Sequence, residues 1–169
     1  MLLLFTGAMY AQEPKLSKFA PENSNASVMP PSSTSKFQYE SVEVGVKYGL
    51  PFDYFDYALN FDAKLNFTIS EKSLLTADVQ YTNFSKKDGV DVTLLPVKFG
   101  FKNYLADIFY GTAELGTAIA LSNAEGAQLA YGLGAGVRLS NNLDFSLNYE
   151  NYTGYTGTQL GFRVAYAFK

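Results

Sequence analysis

The 169-residue sequence contains no cysteine, no histidine and no tryptophan. The lack of cysteine fits an exported protein without disulfides, and metal sites built on cysteine or histidine are excluded. Charged residues make up only 17 % of the chain and the formal net charge is −3, which argues against a basic surface for nucleic acid. We therefore expect no nucleic-acid partner and no cofactor.

Long apolar runs are also missing. No stretch after the N-terminus reaches the roughly 20 apolar residues that a transmembrane helix needs, and the mean hydropathy is −0.04. A membrane protein built from strands remains compatible with these values, because alternation hides its apolar face from averaged hydropathy.

The first 36 residues predict two segments outside the folded domain. Residues 1–11 are apolar and predict a secretory signal peptide cleaved after Ala11, whose missing basic region indicates a truncated start. The alternative for this stretch is a short buried strand or helix. Residues 12–36 are rich in Pro, Ser and Asn and predict a flexible, disordered tail. The alternative is a peptide that docks on a partner or enters a barrel mouth.

From residue 37 to residue 169 the dominant pattern has period two. In residues 55–67 the odd positions are apolar, and most of the even positions are polar. This is the alternation of a strand with one apolar face, and it is long enough to cross a bilayer when tilted. Similar segments recur at residues 42–48, 75–82, 95–102, 109–119, 129–139, 143–150 and 160–168. Short Gly, Asn, Asp and Ser stretches separate them, so we predict eight antiparallel strands in up-and-down order.

The composition of the two faces predicts which one lies inside. A soluble lipocalin-like barrel or a β-sandwich would bury the apolar face, whereas a membrane barrel turns it outward. The other face is rich in small residues, which suits the narrow interior of eight strands. The apolar face has aromatic residues towards the strand ends, as at membrane interfaces. These are Tyr48, Phe55, Tyr81, Tyr131 and Tyr149 at one rim, and Phe67, Phe99, Phe101, Phe145, Tyr166 and Phe168 at the other. We predict an all-β, eight-stranded antiparallel transmembrane β-barrel with a disordered N-terminal extension.

The predicted interior face is charged, and its signs nearly balance. Its acids are Glu43, Asp56, Asp62, Asp78, Glu114, Asp144 and Glu150, and its bases are Lys47, Lys64, Lys98, Lys102, Arg138 and Arg163. Confined charges of both signs should pair, because an unpaired buried charge is costly. We predict a network of Glu43, Lys47, Asp62, Lys64, Asp78, Lys98, Glu114, Arg138, Glu150 and Arg163. We place Glu114 at its centre, with Arg138 and Arg163 as its partners; a narrow ion path or polar ligand site is the alternative.

The last strand, LGFRVAYAF at residues 160–168, resembles the closing strand of bacterial outer-membrane proteins. In that family a terminal aromatic residue with another two residues earlier forms the assembly signal, which Phe168 and Tyr166 match; Lys169 departs from it. The stretch LPVKFGFKNY at residues 95–104 resembles a strand of small Bacteroidota barrels. The resemblance covers residues 37–169 and implies a porin-like or OmpX/OmpW-like barrel. It implies outer-membrane lipid and the assembly machinery as partners, with the tail and the C-terminus on the periplasmic side.

Three functions are compatible with this sequence. The first is a structural or interaction barrel, including a subunit of a larger assembly with other outer-membrane proteins. The second is a narrow channel or a transporter for small or hydrophobic compounds, which would need an apolar cavity near Phe52, Tyr54, Tyr152 and Tyr155. Surface adhesion ranks third because the loops are short. Barrel enzymes of this kind generally rely on a histidine, and inward carboxylates are common in any such barrel, so we expect no enzyme.

Overall fold

The structure is a computed structural model that describes residues 38–52, 54–87, 89–140, 142–154 and 157–169. The predicted signal peptide and tail lie outside this part. The described residues form eight strands: β1 (Gln38–Pro51), β2 (Tyr57–Ser70), β3 (Ser73–Ser85), β4 (Val92–Tyr104), β5 (Phe109–Ser122), β6 (Ala127–Arg138), β7 (Leu143–Tyr152) and β8 (Gly157–Phe168). Among them, no helix is long and apolar enough to cross a membrane.

The strands form one closed barrel in chain order. Each strand pairs antiparallel with the next, and β8 closes the barrel by pairing antiparallel with β1. The predicted all-β, eight-stranded up-and-down barrel is therefore confirmed. Successive cross-strand partners, followed around the barrel from Ser41, return to β1 at Pro51, ten residues further on. Such a stagger tilts the strands by about 40° and leaves an interior only wide enough for side chains.

The two ends of the barrel differ in which chain segments they carry. We call the end where β1 begins and β8 ends the proximal end; it also carries the turns between β2 and β3, β4 and β5, and β6 and β7. The opposite, distal end carries the other four connections. β1 continues beyond residue 48, where the predicted segment ends, because residues up to Pro51 still pair with β8.

Alternation along each strand separates a polar inner face from an apolar outer face. In β1, for example, Glu43 and Lys47 are buried while Val44, Val46 and Tyr48 are about half exposed. The outer face carries two groups of aromatic residues at opposite strand ends. The distal group is Tyr48, Tyr57, Tyr81, Tyr131 and Tyr149, and the proximal group is Tyr39, Phe67, Phe99, Phe101, Phe109, Phe145, Tyr166 and Phe168.

Phe55 and Asp56 do not follow the prediction. Both precede β2, which begins at Tyr57. The ring of Phe55 turns over the distal mouth and packs on Phe84, with 5.4 Å between ring centroids, so Phe55 is not part of the outer aromatic group. Asp56 is exposed, and its carboxylate accepts a hydrogen bond from the backbone N–H of Lys87 at 2.7 Å.

Candidate functional site: the barrel interior

An apolar cluster, which we call the distal cap, fills the distal end of the interior. Its centre is the pair Phe84 and Tyr152, fully buried and packed edge-to-face with 5.8 Å between ring centroids. The full cluster consists of Ala58, Phe84, Leu94, Ala118, Ala130 and Tyr152, with Phe55, Val92 and Ala120 packed against it. Because alanines face the two rings from three strands, the rings can meet across a narrow barrel.

Directly below the cap, Glu150 joins two lysines in what we call the middle network. Its Oε2 and Oε1 lie 2.6 Å from the Nζ atoms of Lys47 and Lys98 respectively. The Oε1 of Gln80 accepts hydrogen bonds from the same two lysines, at 3.1 and 3.2 Å. The hydroxyl of Tyr152 donates to Glu150 at 2.9 Å, so one residue belongs to both the cap and the network.

Lys98 connects Glu150 to a second group of carboxylates. Its Nζ lies 3.1 Å from Glu114 Oε2 and 3.3 Å from Asp78 Oδ2, and Lys64 also pairs with Glu114. The side chains of these four residues are at most 8 % exposed. Charges this deeply buried are stable only because each one has partners of opposite sign.

Glu43 is the hub of the proximal network, which fills the remainder of the interior. Its carboxylate lies 2.8 Å from Lys102 and 3.2 Å from Arg163, and it also accepts a hydrogen bond from Arg138. Arg163 in turn donates from Nε to Asp62 at 2.9 Å. Guanidinium groups suit this position because their several donors can serve two carboxylates at once.

Asp144 completes the proximal network. It lies 3.2 Å from Lys102 and accepts a hydrogen bond from the Tyr110 hydroxyl. The Nζ of Lys102 is also 4.2 Å from the centroid of the Tyr110 ring, in a cation–π contact. Nearest the proximal mouth, Arg138 lies over the ring of Tyr104 at 5.8 Å.

The buried charges of the described residues balance. With Asp56 in a turn, six of the predicted acids remain inside and pair with six bases. Glu40, whose side chain is 27 % exposed at the proximal mouth, adds a carboxylate 3.8 Å from Arg138. All ten residues of the predicted network lie in the interior. Lys102 and Asp144, which the predicted network did not include, lie there as well. No group of three or more acids in the described part is arranged to hold a metal ion.

The predicted partners of Glu114 are wrong. The structure pairs Glu114 with Lys64 and Lys98, and it pairs Arg138 and Arg163 with other carboxylates. The reason is position in the barrel. Arg138 lies at the proximal end of β6 and meets Glu43 there, and Arg163, in the middle of β8, reaches Glu43 on β1 and Asp62 on β2 rather than Glu114 on β5. The alternation shows on which face of its strand a residue lies, but not which residue of a distant strand its side chain contacts.

Several interior residues were missed or misplaced in the sequence analysis. Gln80, Gln159 and Tyr110 hydrogen-bond inside the barrel but are not in the predicted network. The alternation places Gln80 and Tyr110 on the inner face, and Gln159 lies just before the last predicted segment. The transporter alternative needs an apolar cavity near Phe52, Tyr54, Tyr152 and Tyr155. Tyr152 instead points inward, Phe52 and Tyr54 are exposed, and Tyr155 lies outside the described residues.

Gly136 leaves room for the Tyr110 ring inside the barrel. A Cβ at position 136 would come within 2.3 Å of two atoms of Tyr110, whose hydroxyl holds Asp144. Gly136→Ala is therefore expected to lower the free energy of unfolding by about 1–3 kcal/mol through overpacking. Chemical denaturation in detergent micelles would measure it.

Gly111 provides the matched control for this prediction. It lies on the outer face of β5, and the nearest atom to an added Cβ would be a backbone oxygen at 3.9 Å. Gly111→Ala should leave stability unchanged or raise it by up to about 1 kcal/mol. Equal losses in the two variants would show that the Tyr110 contact is not what requires glycine at position 136.

Comparison with known proteins identifies the class of fold. No protein-family model and no curated protein sequence matches the chain. Among solved structures, it is similar to Ail of Yersinia pestis, with a TM-score of 0.56 and 14 % identity over 78 % of this chain and 99 % of that chain. It is similar to the N-terminal β-barrel domain of Pseudomonas aeruginosa OprF, with a TM-score of 0.53 and 14 % identity over 78 % and 100 %.

A designed protein has the same architecture. A de novo designed transmembrane β-barrel matches with a TM-score of 0.54 and 16 % identity, over 76 % of this chain and 95 % of that chain. At these identities the likeness concerns the fold alone. The chain has the fold of small eight-stranded outer-membrane β-barrels.

Proposed function

We propose that the protein is an integral barrel of the bacterial outer membrane with a filled, non-conducting interior and a structural or interaction role. The observation that carries this proposal is the combination of the distal cap with balanced networks beneath it. A selective pore would more often present one dominant sign along an open path. The outer face supports membrane insertion, because its apolar side chains are exposed on every strand between two aromatic groups.

The orientation and the partners belong to the same proposal. Both ends of the barrel chain lie at the proximal end, which we assign to the periplasmic side, with the tail preceding β1. Tyr166 and Phe168 lie exposed on β8 with 4.8 Å between ring centroids, where the assembly machinery could read them as its signal. Outer-membrane lipid would cover the apolar outer face between the two aromatic groups. We retain the OmpX/OmpW-like and Bacteroidota relationships as finer proposals that rest on the sequence alone.

A role in interaction, including membership of a larger outer-membrane assembly, is favoured over enzymatic activity. Every interior carboxylate described above has a cationic partner within 4 Å. A carboxylate engaged in this way is not available as a general acid or base for a substrate. Adhesion ranks lower because the distal connections are short, although Ail, one of the similar structures, is named as an attachment invasion locus protein.

Planar bilayer recordings test the filled interior. Protein whose gel migration changes on boiling, and which is therefore folded, should give no steady single-channel current in salt solution. Phe84→Ala removes one of the two rings at the centre of the cap and should leave the current absent, because the middle network still fills the barrel. Steady, ion-dependent current from the unaltered protein would contradict the proposal and favour the narrow channel or transporter.

Purification in mild detergent tests whether the protein belongs to a larger assembly. Recovery of the protein alone, without other outer-membrane proteins, would contradict that membership.

A further inference from the structure

Three polar atoms on the inner faces of β2 and β3 have no hydrogen-bond partner among the described residues. They are the Oδ1 of Asn66, the Oγ1 of Thr76 and the Oδ1 of Asp78. The three residues are at most 3 % exposed. A buried polar atom without a partner is costly, and native proteins satisfy nearly all of them. Three such atoms at neighbouring positions therefore point to a bound group.

The strand register places the three residues side by side on one wall of the interior. Asn66 and Thr76 are direct cross-strand partners, and Asp78 follows Thr76 on the same face of β3. Cross-strand partners have Cβ atoms about 4.5–5.5 Å apart, and alternate residues on a strand are about 7 Å apart. The three atoms make no hydrogen bond to one another, and these Cβ separations are small enough for one small ligand to reach all three.

Asn66 presents its amide oxygen without a donor. Its Nδ2 donates to Ser41 Oγ at 3.1 Å, and its Oδ1 is left as an acceptor that no donor of the described residues reaches.

The surrounding charges require that the ligand be neutral. Asp78 Oδ2 is already 3.3 Å from the Nζ of Lys98, and Lys64 is the cross-strand partner of Asp78. A cation at this place would lie beside two lysines, and an anion would face the carboxylate of Asp78. Either would also disturb the equal numbers of interior acids and bases.

We propose that the inner faces of β2 and β3 bind an ordered water molecule. It donates hydrogen bonds to Asn66 Oδ1 and Asp78 Oδ1, and it accepts one from the Thr76 hydroxyl. Three hydrogen bonds are typical of a buried water, and its size suits a narrow barrel. The water completes the solvation of Asp78, whose Oδ1 no side chain of the described part reaches.

Thr76→Val tests the site, because valine keeps the shape of threonine and removes only the hydroxyl. If the water is bound, the variant loses a hydrogen bond, and the ratio of folded to unfolded protein in urea titrations should fall about five- to tenfold. If the hydroxyl has no partner, its removal should raise the ratio. Thr82→Val is the matched control on the same strand, since Thr82 Oγ1 accepts directly from Gln80 at 2.7 Å; it gives the effect of losing one direct hydrogen bond.

A second measurement does not depend on how the variant folds. In the unaltered protein in lipid nanodiscs, magnetisation transfer from a long-lived water to the protons of Thr76 should be observable by nuclear magnetic resonance. A fall in stability on Thr76→Val together with this transfer supports the water site. A rise in stability overturns it, and so does the absence of transfer at Thr76, whatever the stability shows.

Discussion

Glu43→Gln is expected to lower the free energy of unfolding by about 3–5 kcal/mol. The Glu43 carboxylate is fully buried and faces Lys102, Arg138 and Arg163. Neutralising it leaves the interior with an excess positive charge that water cannot reach. An uncompensated buried charge of this kind is strongly destabilising. Urea titration of the folded barrel in micelles or bilayers measures the change.

Two further variants separate charge balance from other effects of the substitution. Glu71→Gln makes the same chemical change at an exposed turn and should change stability by less than about 0.5 kcal/mol. Combining Glu43→Gln with Lys102→Gln restores equal charge and should recover part of the loss, so the two effects would not be additive. If Glu43→Gln behaved like Glu71→Gln, the proximal network would not consist of desolvated charges.

Leu133→Arg is expected to lower the free energy of unfolding in a bilayer by about 2–4 kcal/mol. Leu133 lies in the middle of β6 on the outer face and is 61 % exposed. If that face contacts hydrocarbon, an arginine near the bilayer midplane must leave water. On a soluble barrel the same substitution at so exposed a position would cost almost nothing.

Leu105→Arg is the matched control. Leu105 is 76 % exposed, but it lies in the proximal turn between β4 and β5, beyond the strands. Arginine near an interface should cost about 0–1 kcal/mol. Titration of both variants from lipid vesicles gives the comparison. Equal, small effects at positions 133 and 105 would contradict insertion of the outer face into a membrane.

Most of the fold could be predicted from the sequence because successive residues of a β-strand alternate between its two faces, so that apolar and polar residues alternate in the sequence. The segment at residues 55–67 shows both the strength and the limit of this signal. From Tyr57 onward its alternation corresponds to β2, whereas Phe55 and Asp56 continue the same pattern without being in the strand. Their positions depend on the distal mouth, where Phe55 finds the ring of Phe84. A local pattern contains no information about that contact.

The candidate site was predictable as a set of residues but not as a set of pairs. Alternation placed Glu114, Arg138 and Arg163 on the inner face, where the structure has them. Their partners depend on how closure of the barrel places each side chain, both along the axis and around the wall. A bidentate arginine is the predicted partner of Glu114, yet Lys64 and Lys98 reach it instead.

The sequence by itself determined the number of strands, their order, and which face is apolar, because each of these follows from local alternation and from short connections. It also determined that the interior would hold nearly equal numbers of acids and bases. Only the tertiary structure decided which charges meet, that an apolar cap closes the distal end, and that Tyr152 joins the cap to the middle network. These features depend on contacts between strands far apart in the chain. Closure of the barrel creates those contacts, and no single segment encodes them.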